Sequence, residues 1–238
     1  METKIFSIEG NIGAGKSTLI SILEKQIPDC IFLYEPVNKW KNIGNFDLLS
    51  YFYKDPKRWC FTFELYSMWS KFKRLKEALK QNPKFIIMER SLFSDRAFHH
   101  ISYYYDKLNV MEMSILEELY HEFKSNYPKL SGIIYVDTNE DLCLKRIKIR
   151  SRPEEQGITV DYLKMLNDQF INTEYECKFV YVDGEYDLRN SQEIISKIKL
   201  FITQASKFQA NPQAKTQANK TDFDKPNPQT QSKSSQSS

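Results

Sequence analysis

Residues 10 to 17 read Gly10-Asn11-Ile12-Gly13-Ala14-Gly15-Lys16-Ser17, directly after the apolar run Ile5–Ile8. The residues that follow put Leu19, Ile22, Leu23 and Ile27 on one face of a helix. A G-x-x-x-x-G-K-S spacing on a strand-to-helix turn is the P-loop pattern. Its glycines let backbone N–H groups crowd around phosphate oxygens. Lys16 reaches the outer phosphates, Thr18 follows in the same turn, and the Ser17 hydroxyl is available to Mg²⁺. The helix points its positive end at the same anion. A chance glycine-rich turn would lack the flanking strand and amphipathic helix.

Further apolar runs at Ile31–Tyr34, Phe85–Met88, Gly132–Val136 and Phe179–Val182 read as buried strands. Helical patterns alternate with them, at about 46–53, 56–81, 94–106, 111–126, 139–149, 159–174 and 190–204. Asp55-Pro56 marks one helix start, and Asn139 and Ser191 are candidate caps for two others. This alternation predicts an α/β fold with a doubly wound parallel sheet. Ligands gather at the carboxyl ends of such strands. From Ala205 onward Gln, Asn, Ser, Thr, Lys and Pro dominate. Such a segment buries too little to offset its ordering entropy. The expected organisation is a domain at 1–204 and a disordered low-complexity tail at 205–238.

The net charge of +3 is carried by that tail, which has five Lys and two Asp. The rest is balanced, which argues against a nucleic-acid partner. Cys30, Cys60, Cys143 and Cys177 show neither metal-site nor disulfide-scaffold spacing, as in a reduced intracellular protein. No apolar run approaches the ~20 residues that span a bilayer. A first strand beginning at Lys4 leaves no room for a targeting peptide, so a cytoplasmic protein is expected, with the nucleus also compatible.

Three more groups carry chemistry. Glu35-Pro36-Val37 ends the second strand, and the proline holds Glu35 extended. A carboxylate there can act as general base on a hydroxyl, or be a solvated acid before a turn. Glu89-Arg90-Ser91 ends the third strand, followed by Ser94-Asp95-Arg96. An acid in this place reaches Mg²⁺, and an adjacent arginine holds an attacking oxygen or a phosphoryl group. Arg146, Arg150 and Arg152 precede Pro153-Glu154-Glu155-Gln156-Gly157. They form either a lid that closes over phosphates or a charged face paired with Glu154, Glu155 or Asp141.

Together with Arg58-Trp59-Cys60-Phe61-Thr62-Phe63 and Trp40, these five motifs in order resemble the deoxynucleoside kinase family, from Lys4 to about Phe201. The resemblance implies a P-loop kinase fold with a five-stranded parallel sheet flanked by helices and a lid. It also implies ATP and Mg²⁺ as cofactors, a small-molecule deoxynucleoside as acceptor, and a homodimer. Position by position, Glu35, Glu89 and Arg90 match the catalytic groups, and Ser17 and Glu89 the metal side. The loop Gly10–Thr18, the lid arginines Arg146, Arg150 and Arg152, and the Asp183–Asp187 loop, with Asp183 as its candidate contact, match the ATP side. Tyr53 and Glu155 match residues that hold the sugar 3′-hydroxyl. Trp40 and Phe63 match walls around the base.

Glu64 stands where the family usually has a glutamine that reads the base. Ionised, Glu64 only accepts hydrogen bonds, which suits a two-donor edge such as that of guanine. Protonated, it imitates glutamine. Alternatively it pairs with Lys71, about two turns along the same helix. Lys71 and Asp95 match an Arg and an Asp of the deoxycytidine and deoxyguanosine kinases. They lean the pocket toward purine or cytosine nucleosides. His99 stands where a stacking Phe is usual, with Phe98 adjacent. The competing readings are a nucleoside monophosphate kinase of thymidylate-kinase type and an inactive nucleotide-sensing subunit.

Overall fold

The computed structural model describes residues 2–173, 175–188 and 191–207. Its strands are β1 Lys4–Gly10, β2 Cys30–Leu33, β3 Phe85–Glu89, β4 Gly132–Asp137 and β5 Lys178–Asp183. They form one sheet in the order β2-β3-β1-β4-β5. All four pairings are parallel. The described helices are α1 Lys16–Glu24, α2 Val37–Trp40, α3 Leu48–Lys54, α4 Pro56–Leu79, α5 Leu92–Tyr104, α6 Val110–Ser125, α7 Glu140–Arg150, α8 Val160–Ile171 and α9 Gln192–Lys207. A 3₁₀ turn, Pro153–Glu155, links α7 to α8. The strand order reverses direction at β1, which places the P-loop at the switch point where such sheets bind ligands.

The predicted strands all form. The Asp55 side chain accepts from Arg58 N, and Pro56 sits in the first turn of α4. Asn139 caps α7 through Asp141 N at 2.9 Å, and Ser191 Oγ accepts from Ile194 N at 3.3 Å. Two helix ends differ from expectation by several residues. The helix expected to end at 174 stops at Ile171. The last helix continues past 204, because Ile195, Ile198, Ile202 and Ala205 form one buried stripe against the sheet. The short α2 was not predicted, and it carries Trp40 inward. The low-complexity segment from residue 208 onward lies outside the described residues.

The main core sits between the sheet and the helices α1 and α9, around Phe6, Ile8, Leu19, Ile20, Ile134 and Ile198. Each is fully buried, which stabilises the fold by about 1.5–3 kcal/mol per large side chain. Two loop glycines are demanded by close approach. A Cβ on Gly10, at φ 135°, would lie 2.5 Å from Val136 O, and one on Gly13, at φ 79°, would lie 2.5 Å from Cys143 O. The loop is therefore pressed against β4 and α7. Among the described residues no helix is long and apolar enough to cross a membrane.

One buried carboxylate joins the central strand to the next turn. Glu9, fully buried in β1, accepts from Ser91 N at 2.9 Å and Ser91 Oγ at 2.6 Å. It also accepts from Ser7 Oγ at 2.5 Å and from Ser94 Oγ. Glu9→Ala would leave four buried donors without an acceptor. The expected loss is about 3 kcal/mol in urea unfolding, with a smaller loss for Glu9→Gln, whose amide oxygen still accepts. An alanine variant as stable as the wild type would contradict this role.

Candidate active site

A cavity of about 1160 Å³ opens at the carboxyl ends of the strands. One end is the P-loop. Lys16 Nζ donates to Asn11 O at 2.6 Å, which curls the side chain back over the loop. Burial and the neighbouring Arg90 pull the Lys16 ammonium down to about 7, while Glu89 and Glu35 act the other way. A phosphate anion there would favour the charged form. Asn11 Nδ2 is committed to Leu163 O at 2.8 Å, and Ala14 presents its carbonyl to Thr138 Oγ1 at 3.0 Å. Of the predicted loop residues, Ile12, Gly13, Gly15, Lys16, Ser17 and Thr18 line the cavity, with Gly10, Asn11 and Ala14 behind them.

The turn after β3 brings the catalytic candidates together. Ser17 Oγ donates to Glu89 Oε1 at 2.6 Å. Glu35 N approaches Glu89 Oε2 at 3.5 Å, and Arg90 Nε stands 3.4 Å from Glu35 Oε1. Arg90 has a left-handed backbone, φ 62°, which is strained for a residue with a Cβ. It is held there by its own N–H, which donates to Ile8 O at 3.1 Å, and by Glu9 gripping the next residue. The guanidinium lies 4.9 Å from the Phe98 ring centre and 5.3 Å from that of Phe170. Its Nη1 is buried with no hydrogen-bonding partner among the described residues, so it retains a donor.

The lid arginines divide their work. Arg146 donates to Ala14 O at 3.2 Å and Gly184 O at 2.8 Å, tying the P-loop to the segment after β5. Arg150 forks onto Glu155 with two bonds of 2.6 Å, and Arg152 Nη1 approaches the same carboxylate at 3.4 Å. The ion-pair alternative read from the sequence is thus realised for Arg150, within the cavity wall. Lys41 anchors the turn by pairing with Glu154. Asp183 does not line the cavity. Its carboxylate accepts from Glu185 N at 2.8 Å, and Glu185, Tyr186, Asp187 and Leu188 form the wall instead.

The other end is an aromatic slot. Trp40 meets Phe63 edge-on at 5.3 Å, and Phe52 stacks on Phe63 at 4.6 Å. Trp40 Nε1 donates to Ser70 Oγ at 3.0 Å. Tyr53 lines the slot too, and burial together with the Glu155 charge raises its phenol well above the ordinary range. Phe98, not His99, faces the cavity; His99 is fully buried behind it.

At the base of the slot Lys71 pairs with Asp95, not with Glu64. Ser67 Oγ also reaches Asp95 Oδ1, at 3.3 Å, and Asp95 Oδ2 has no hydrogen-bonding partner among the described residues. Burial raises the Asp95 carboxyl to about 6, against the pull of Lys71. Glu64 accepts from Ser102 Oγ at 3.2 Å. Burial, and then the Asp95 charge, push it up to about 8. Of the three readings open from sequence, the pairing with Lys71 does not form, and the raised carboxyl favours the protonated, glutamine-like one over the ionised one.

Sequence reasoning missed Glu9 and Ser94, which hold the Arg90 turn, and Arg74, which fastens the end of β2 by donating to Tyr34 O. Ser94 belongs to the Ser94-Asp95-Arg96 motif, and Glu9 directly precedes the P-loop. Nothing in their residue types distinguished a buried clamp from a solvated acid and hydroxyl.

A family model described as deoxynucleoside kinase matches residues 6–206. A protein of Fowlpox virus (strain NVSL) named probable deoxycytidine kinase is 38% identical over 219 residues, spanning 84% of this chain and 89% of that protein. The mitochondrial deoxyguanosine kinase of Xenopus laevis is 38% identical over 192 residues, spanning 71% of this chain and 72% of that protein. The deoxycytidine kinase of Homo sapiens is 32% identical over 243 residues, spanning 84% and 91% respectively. On the family match along nearly all of its described fold, this chain belongs to the deoxynucleoside kinase family.

Proposed function

We propose that the aromatic slot holds a deoxynucleoside with its 5′-hydroxyl at Glu35, and that the P-loop holds ATP with its γ-phosphate facing the same point. The observation that carries this is the Glu35–Arg90 contact, 3.4 Å, set beside the Ser17–Glu89 pair in one cavity. Glu35 takes the hydroxyl proton as the 5′-oxygen attacks the γ-phosphorus. The bond to the bridging oxygen breaks and ADP leaves. Arg90 steadies Glu35 and offers Nη1 to the transferring group. Positioning and charge neutralisation do most of the work in phosphoryl transfer. Ser17 and Glu89 supply hard oxygen donors suited to Mg²⁺, which neutralises phosphate charge when bound. Tyr53 and Glu155 meet the sugar hydroxyl, and Trp40 and Phe63 flank the base.

Named relatives that act on deoxycytidine and deoxyguanosine support the purine or cytosine leaning. So does the free Asp95 Oδ2, which accepts from an amino group and repels a carbonyl oxygen. These features disfavour the monophosphate-kinase reading. The intact Lys16, Ser17, Glu35 and Arg90 disfavour an inactive sensor. We extend the proposal to a homodimer, because Trp69 on α4 and Val110, Met111 and Ile115 on α6 expose apolar surface suited to a second copy. Four unpaired cysteines fit a reducing compartment such as the cytoplasm.

Glu35→Gln should fold normally and lose roughly a hundredfold or more in kcat, with KM for the nucleoside changed little. Lys16→Ala should lose turnover to a similar degree and weaken ATP binding. Near-wild-type rates in either purified variant would remove that residue from the mechanism. Ranking the four natural deoxynucleosides by kcat/KM should place thymidine last. A preference for thymidine would overturn the role given to Asp95.

A further inference from the structure

We propose that Glu64 and His99 together read the base, with His99 holding Glu64 so that the edge shown to the nucleoside changes with one proton. This rests on the slot being the nucleoside site. Glu64 Oε1 is held by Ser102 Oγ at 3.2 Å, and Glu64 Oε2 lies 3.8 Å from His99 Nε2. His99 is fully buried, and neither ring nitrogen has a hydrogen-bonding partner among the described residues. The carboxylate nearest its Nε2 is Glu64, and in the proposed arrangement that nitrogen carries the imidazole proton and donates to Glu64 Oε2. Glu64 lines the cavity while His99 stands behind it.

In this arrangement Ser102 and His99 both donate to the carboxyl from the protein side. The remaining edge faces the base. When Glu64 is protonated, that edge offers one O–H and one carbonyl lone pair. It then pairs with a ring nitrogen beside an exocyclic amino group, as in adenine or cytosine, whose second amino hydrogen is available to Asp95 Oδ2. When Glu64 is ionised the edge only accepts, and two adjacent N–H donors, as in guanine, fit it better. His99 serves both states as a donor and favours the ionised one. Burial keeps the imidazole itself neutral, pulling it down to about 3.

The other groups facing this carboxyl are Lys71 and Cys60 from α4, Asp95 from α5, Lys107 beyond α5, and Tyr162 from α8. On the far side of His99 stand Arg96 and His100 from α5 and Glu117 from α6. Lys71 and Lys107 draw Glu64 toward ionisation, and Asp95 opposes it. Burial raises the Cys60 thiol and the Tyr162 phenol well above their ordinary ranges, so neither titrates with Glu64 near neutrality. Asp95 is raised less than Glu64 by the same burial, because Lys71 is paired with it.

The test is kcat/KM for deoxyguanosine relative to deoxyadenosine and deoxycytidine, from about pH 7 to about pH 9. The wild-type ratio should rise roughly tenfold across this range, the scale of one hydrogen bond gained or lost. Glu64→Gln should make the ratio flat. His99→Phe should move the rise to higher pH, because the ionised form has lost a donor. His99→Gln restores a donor and should bring the midpoint back, and His99→Leu, which also lacks a donor, takes the place of the Phe variant if that one does not fold. A flat wild-type ratio, or a Glu64→Gln enzyme with the wild-type slope, overturns the proposal. A midpoint left unmoved by loss of the donor, in the Phe or Leu variant, removes His99 from it. Absence of phosphorylation of any deoxynucleoside at any pH would instead overturn the function itself.

Unfolding gives a readout independent of activity. Glu64 rises from 4.5 to about 8 on folding, so the folded chain holds a proton that the unfolded chain releases between those values. Wild-type stability relative to Glu64→Gln should fall as pH increases through that window and level off above it. A difference that does not vary with pH would contradict the buried proton.

Discussion

The buried carboxyl group of Glu9 is the constraint on which the site hangs. It lies in the central strand, satisfied by three hydroxyls and one backbone N–H rather than by a hydrogen-bonded cation. A buried carboxylate without its partners is expensive, so the fold is bound to keep those serines in place. Two of them, Ser91 and Ser94, begin α5. Glu9 also directly precedes the P-loop. One carboxylate thus fixes the phosphate-binding loop relative to the turn bearing Glu89 and Arg90. The left-handed backbone of Arg90 persists because both of its flanks are tied down, and that backbone turns its guanidinium toward Glu35.

The cavity has two electrostatic regimes. At the P-loop end, Lys16, Arg90, Arg146, Arg150 and Arg152 crowd one region, and Arg90 depresses Lys16 as like charges do. Glu35 and Glu155 pair with these cations. At the aromatic slot, burial raises both Glu64 and Asp95, and Lys71, paired with Asp95, pulls against it. The same chemical group, a carboxyl on a helix lining the slot, is therefore raised further in one case than in the other. The difference comes from the partner cation: Lys71 is spent on Asp95.

Much of this was legible in the sequence because it rests on spacing. The P-loop, the Glu35-Pro36 corner, the Glu89-Arg90 turn and the five strands follow from local patterns whose periods the backbone enforces. What stayed hidden depended on which side chain meets which across the fold. Glu64 and Lys71 share a helix face, yet the ion pair forms with Asp95 on α5, a choice no single-helix pattern contains. Phe98 and His99 are adjacent letters, and only the rotation of α5 decides that the ring faces the slot and the imidazole does not. Asp183 ends β5, one residue past the run read as a strand, and its carboxylate satisfies the following turn. On α9 the buried stripe outweighed composition and carried the helix through Ala205 to Lys207, past the end expected at 204.

The Arg150–Glu155 fork shows how the two ends of the cavity are joined. Glu155 stands at the turn after α7, beside Tyr53 from α3, and it accepts both bonds of the Arg150 fork. Arg146, one turn earlier on the same helix, is bonded to the P-loop carbonyl of Ala14. The helix α7 therefore joins the carboxylate beside the aromatic slot to the P-loop, through two arginines one turn apart.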